Sequence, residues 1–128
     1  MTMSYTRPEA IKLGLLLPMS YRNTHATELD RVCNGGGAAG YGLLIPDTMY
    51  LVSMTPAFDV HDWMYHEGGT DEDKDRADDW MLENLHRIIK AKSWTPWMRW
   101  MRKRRAQKYY LAVRMFGSGA FNHKDGNE

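Results

Sequence analysis

One histidine, two aspartates and a tyrosine have the spacing that acid–base chemistry needs in this chain. In the stretch Thr55–Glu67, TPAFDVHDWMYHE, the residues Phe58, His61, Asp62 and Tyr65 recur at i, i+3, i+4 and i+7. That period places them on one stripe of a helix. An imidazole and a carboxylate between two aromatics, on a face that looks inward, cost free energy unless they find partners or a metal. Two chemistries suit such a stripe. In one, His61 is a general base oriented by a second carboxylate, and Asp62 holds a cation that polarises the substrate. In the other, His and Asp are the metal ligands of a phosphohydrolase, which calls for further histidines; His25 is the one upstream.

The elements around this stripe decide which carboxylate reaches His61. Thr55-Pro56 is a helix start, with a capping hydroxyl and then a residue that needs no N–H partner. Gly68-Gly69 is the stop. Thr70 caps a second helix with acids in its first turn, and its apolar stripe of Ala77, Met81, Leu82, Leu85, Ile88 and Ile89 runs to about Lys90. A link this short makes the two helices antiparallel. His61 precedes Gly68 by seven residues and Asp78 follows Asp71 by seven, so at ~1.5 Å per residue both lie ~10 Å from the turn. Asp78 shares a face with Leu82, Leu85 and Ile89, whereas Asp75 and Asp79 fall with Glu83, His86 and Lys90. Depth and phase therefore predict Asp78 as the partner of His61. A helix–loop–helix calcium site over Asp71-x-Asp73-x-Asp75 fails, because Arg76 stands where glycine must turn the chain and Leu82 where a bidentate Glu is needed.

Elsewhere, Arg7-Pro8-Glu9 opens a short helical pattern through Leu17, which Pro18 stops. Residues 19–32 are polar, with Asn23 or Thr27 able to start a turn that holds Leu29 and Val32. Cys33–Gly42 packs five glycines into ten residues, which reads from composition as a flexible connector. Leu43–Val52 reads as a loop with one or two short extended pieces. Thr95-Pro96 starts a third strong helix, ending near Phe116 at Gly117. Residues 1–6 and 122–128 read as flexible. The expected fold is mostly α: a small single domain over residues 1–128, with an antiparallel two-helix catalytic core, a glycine-rich loop and a C-terminal basic helix.

Composition narrows the setting. A chain of 128 residues supports one modest core. Its net charge of +1 hides a split: residues 1–90 carry 8 Lys+Arg against 14 Asp+Glu, and residues 91–128 carry 9 against 2. The basic end attracts anions, or pairs with the acidic half. A single cysteine, Cys33, excludes an intramolecular disulfide. Nothing approaches the ~20 apolar residues of a membrane span, and no signal peptide is visible, so synthesis in the cytoplasm is expected. In the last helix, Trp94, Trp97, Trp100, Met98 and Met101 mix with Arg99, Arg102, Lys103, Arg104 and Arg105. Tryptophans beside cations suit a phospholipid headgroup interface, with Trp97, Trp100, Arg102 and Arg105 as its expected contacts. The alternative is that Trp97, Met101, Leu111, Val113, Met115 and Phe116 are core. Nucleic-acid binding by the basic run has no recognisable module behind it.

His61-Asp62-Trp-Met-Tyr65 resembles the HDxxY helix of phospholipase A2. Asp78, in Ala77-Asp78-x-x-Met81, resembles that family's second aspartate, and the glycine run Asn34–Gly40 its calcium loop. The chain is most similar to small bacterial and phage members, over roughly Cys33 to Phe121. The resemblance implies a Ca²⁺-dependent esterase acting on the sn-2 ester of phospholipids. In it His61 deprotonates water, Asp78 fixes the imidazole, and Tyr65 hydrogen-bonds Asp78. Asp62 and the carbonyls of Gly35, Gly37 and Ala39 hold the ion. It also implies a cysteine pair tying the loop to the histidine helix; the corresponding positions here are Gly36 and Phe58, so packing must replace that staple. A non-catalytic interaction protein on the same fold, and the metal phosphohydrolase above, are the competing readings.

Overall fold

The computed structural model describes residues 6–33, 48–49 and 52–124. Within them the chain is mostly helical, in the order α1 (Thr6–Lys12), α2 (Met19–Asn23), α3 (Ala26–Val32), α4 (Thr55–Glu67), α5 (Asp71–Lys92) and α6 (Pro96–Phe116). Two short strands, β1 (Thr48–Met49) and β2 (Val52–Ser53), precede α4 and pair antiparallel, Thr48 with Ser53 and Met49 with Val52.

The three long helices follow the local signals of the sequence. Thr70 and Asp73 form a reciprocal capping box at the start of α5. The Thr95 hydroxyl accepts from the Met98 amide at 3.1 Å to start α6. In α4 the cap is Met54 rather than Thr55, which is the first helical residue, ahead of Pro56. The helix stops at Gly68, whose φ of 69° disfavours any residue with a Cβ.

The amino-terminal third departs more. α1 ends at Lys12, five residues short of Leu17, because Gly14 turns the chain with φ 71°. Pro18 then does double duty. It cannot continue a helix, yet its carbonyl accepts the amides of Tyr21 and Arg22 and so begins α2. That helix lies in the stretch read as merely polar. α3 is capped by His25, whose Nδ1 accepts from the Thr27 amide.

α5 is the central helix, packed against α4 on one side and α6 on the other. Met54, Ala57 and Phe58 meet Met81, Leu85, Ile88 and Ile89, and on the far side Ala106, Tyr109 and Val113, in one apolar core that Ala10 and Leu15 complete. A second cluster sets Val60 and Trp63 of α4 against Tyr21, Leu29 and Cys33. Asn84, wholly buried, exchanges two hydrogen bonds with the backbone of Leu16, at 2.7 and 3.0 Å. It thereby supplies partners for a chain segment that has left helix geometry.

Residues 122–124 are not frayed. Asn122 donates its amide to the Tyr65 carbonyl, Gly69 donates to Asn122, and Lys124 donates to Gly69. The tail thus lies along the α4–α5 turn, in a parallel bridge between Gly69 and His123. Among the described residues no helix is long and apolar enough to cross a membrane.

Candidate active site

The antiparallel α4–α5 pair brings His61 and Asp78 level, as depth and phase require. His61 Nε2 lies 2.9 Å from Asp78 Oδ1, with the imidazole 2% exposed and the carboxylate wholly buried. The Tyr65 hydroxyl donates to the same oxygen at 2.6 Å. Its ring sits against the imidazole, centroids 4.1 Å apart, and meets Phe121 edge-on at 5.2 Å. All four residues of the stripe, Phe58, His61, Asp62 and Tyr65, are buried.

Lys74 completes this group, and sequence reasoning missed it. Its ammonium donates to Asp78 Oδ2 at 2.8 Å and to the Val113 carbonyl of α6 at 3.2 Å. Arg114 stands farther off, 3.7 Å from Oδ2. Both carboxylate oxygens are therefore engaged. The available signal was the i, i+4 spacing of Lys74 and Asp78, one turn apart on α5. It was hidden inside an acidic first turn that reads as capping.

Burial alone pushes the Asp78 carboxyl up. The hydrogen bonds from His61, Lys74 and Tyr65 together outweigh that cost and hold its pKa below the ordinary carboxylate value. An ionised Asp78 can only accept, so His61 Nε2 carries the proton that it donates. Nδ1 is then the basic nitrogen of the neutral ring.

Gly117 fits this arrangement sterically. Its backbone passes so close to Tyr65 that a Cβ there would lie 2.5 Å from the hydroxyl oxygen. The residue read as a helix stop is also the seat of the tyrosine.

Asp62 is buried next to His61 on α4. Gly35, Gly37 and Ala39, the other expected calcium ligands, lie outside the described residues, as does Gly36. A carboxylate joined by backbone carbonyls is a hard oxygen set, the kind calcium takes. Phe58 packs edge-on against Tyr109 with centroids 5.6 Å apart, so it belongs to the core.

The expected lipid contacts separate. Trp97 and Trp100 are 66% and 56% exposed, and Trp94 is more so. Arg104 lies over the Trp100 ring, 5.0 Å from its centroid. Arg102 is a correction: it is 1% exposed, and its Nη1 donates to Ser93 Oγ at 2.7 Å. It shares a stripe with Ala106, Tyr109 and Val113, the face of α6 that is buried against the core. Arg105 is half-buried. Of the residues in the core alternative, Val113 is buried and Met101 half-buried, whereas Trp97, Leu111, Met115 and Phe116 are exposed; Tyr109, beside them on α6, is also buried.

His25 is exposed at the start of α3, engaged as its cap. Among the described residues no group of three or more His, Cys, Asp or Glu side chains is placed to hold a metal. Comparison of the chain with family models, curated proteins and solved structures gives no match.

Proposed function

We propose that the chain is a calcium-dependent, phospholipase A2-like esterase that hydrolyses the sn-2 ester of phospholipids with His61 as general base. The observation that carries the reading is the buried His61–Asp78 hydrogen bond at 2.9 Å. It is braced by Tyr65 and Lys74 and adjoined by the buried carboxylate of Asp62. The exposed tryptophans of α6, with Arg104 beside them, support a lipid surface as the place of work.

In the reaction, Nδ1 of His61 takes a proton from water as the water oxygen bonds to the ester carbonyl carbon. Asp78 accepts from Nε2 throughout and offsets the charge of the imidazolium. The proton then passes to the departing alkoxide as its C–O bond breaks, leaving a fatty acid and a lysophospholipid. Tyr65 and Lys74 are positioning residues: each fixes one oxygen of Asp78 and leaves it no rotation that would turn it from His61. Calcium, when held by Asp62 and the carbonyls of Gly35, Gly37 and Ala39, supplies polarisation of the ester carbonyl.

The test is fatty-acid release from phosphatidylcholine vesicles, with calcium or with chelator. Release that requires both calcium and His61, and is lost in His61→Ala, is expected. Folded protein that releases no fatty acid in a His61-dependent way would return the chain to the non-catalytic reading.

A further inference from the structure

A second feature lies on another face of α5. A cleft of about 550 Å³ between α5 and α6 is lined by Glu83, His86, Arg87, Lys90, Arg99 and Lys103. The α5 residues recur at i, i+3, i+4 and i+7, and Arg99 and Lys103 form an i, i+4 pair on α6. Two charged stripes therefore face one another beside the buried seam of Leu85, Ile88, Ile89 and Ala106. The volume is within the ~300–1,000 Å³ typical of small-molecule sites.

The charge is lopsided. Four permanent cations face one carboxylate, and that carboxylate is already used: Arg87 Nε donates to Glu83 at 2.9 Å. Arg87 also donates to the Gly14 carbonyl, at 2.6 Å. Among the described residues, Lys90, Arg99 and Lys103 have no carboxylate partner. Arg99 makes one long contact, 3.5 Å, to the Ser93 carbonyl. Burial, and then the nearby charge of Lys103, push the His86 pKa down against the opposing pull of Glu83. A neutral imidazole there can donate one hydrogen bond. Cations held together in a cleft repel unless an anion is among them, and oxygen-rich anions match ammonium and guanidinium donors.

We propose that the α5–α6 cleft is a binding site for a phosphate-bearing anion, held by Lys90, Arg99 and Lys103 with His86 as a further hydrogen-bond donor. A soluble phosphomonoester and a phospholipid headgroup present the same chemistry. Trp100, exposed on α6, is the sequence neighbour of Arg99. The site is separate from the esterase reading and does not depend on it.

The experiment titrates the full chain with inorganic phosphate, with glycerol 3-phosphate, and with phosphatidylcholine vesicles lacking or containing phosphatidic acid. The His86 ring proton resonance reports occupancy, with the summed tryptophan fluorescence as a second signal. A saturable response is expected, with a rise in the His86 pKa as the anion enters. The double variant Lys90→Gln/Lys103→Gln alters two exposed side chains, and its unchanged melting temperature serves as the folding control. It should bind about tenfold more weakly or worse, from the loss of two charge-assisted hydrogen bonds. Glu83→Gln should tighten binding. Saturation by the soluble phosphates supports the site and assigns it a free phosphomonoester. Saturation confined to phosphatidic acid vesicles supports it and assigns a headgroup. No saturable response to any probe, or a response that the double variant leaves unchanged, overturns it.

Discussion

The hydroxyl of Tyr65 occupies the space that a side chain at position 117 would need: a Cβ on Gly117 would come within 2.5 Å of it. The φ of Gly117 is −79°, which any residue adopts, so the demand for glycine there is one of room rather than backbone conformation. Gly117→Ala should push the tyrosine off Asp78. A loss of about 1–3 kcal/mol is expected from forcing a methyl into a packed site. Urea unfolding measures it. The telling comparison is with Gly117→Ala in a Tyr65→Phe background, where the cost should shrink because the hydroxyl is gone.

Lys74 is the residue whose removal should hurt the folded state most without touching the imidazole. Lys74→Met keeps the length of the stem but takes the ammonium from Asp78 and from the Val113 carbonyl. Breaking a buried ion pair by deleting one partner costs roughly 3–5 kcal/mol. The low end is expected, since His61 and Tyr65 still serve the carboxylate. Chemical denaturation of the variant, with Lys74→Arg as the charge-preserving control, gives the number.

Asp78 also sets a pH dependence. Its folded pKa lies below the ordinary value, so the folded state binds fewer protons than the unfolded state through the acid range. The stability it contributes is fully present above the unfolded pKa of about 3.9 and is lost as pH falls through the lower folded value. The contribution of the Asp78 carboxylate to the gap in unfolding free energy between the wild type and Asp78→Asn should therefore be present at neutral pH. It should narrow steadily as pH falls below the unfolded value.

The calcium proposal has its own readout, independent of turnover. Calcium bound to the folded state alone raises the melting temperature with concentration. The rise is expected in the wild type and should be abolished in Asp62→Asn, which retains the shape of the side chain but not its charge. An equal rise in both proteins would move the ion away from Asp62.

Asn84 offers a test remote from the chemistry. Asn84→Ala leaves the amide and the carbonyl of Leu16 without their buried partner. A loss of about 1–3 kcal/mol is expected by calorimetry or urea titration. The His61–Asp78 pair should keep its geometry, so the proposed esterase activity should persist at permissive temperature.

Helical period, caps and a three-residue link were enough to place α4, α5 and α6, and to pick Asp78 out of a crowd of acids as the partner of His61. Those inferences rest on local rules and on one short-range antiparallel pairing. What stayed hidden depends on longer contacts. Lys74 is held inside by the carbonyl of Val113, which α6 brings to meet it. Arg102 sat in a run of cations, and only the packing of α6 showed it to be interior. Asn84 and Leu16 are 68 positions apart, and no local pattern joins them. α2 carries no start signal of its own, because Pro18 ends one helical segment and only its carbonyl, accepting from Tyr21 and Arg22, begins the next.

The path of residues 122–124 bears on how this chain acquires its site. The α4–α5 hairpin is local and short-linked, so it can form early. Its turn nevertheless takes backbone partners from a segment that leaves the ribosome after α6 is complete. Gly69 and the Tyr65 carbonyl wait for Asn122 and Lys124. The histidine and its aspartate can therefore meet during synthesis, while the turn that sets their register is closed only afterwards. A fusion or truncation boundary placed before residue 124 would leave that closure undone.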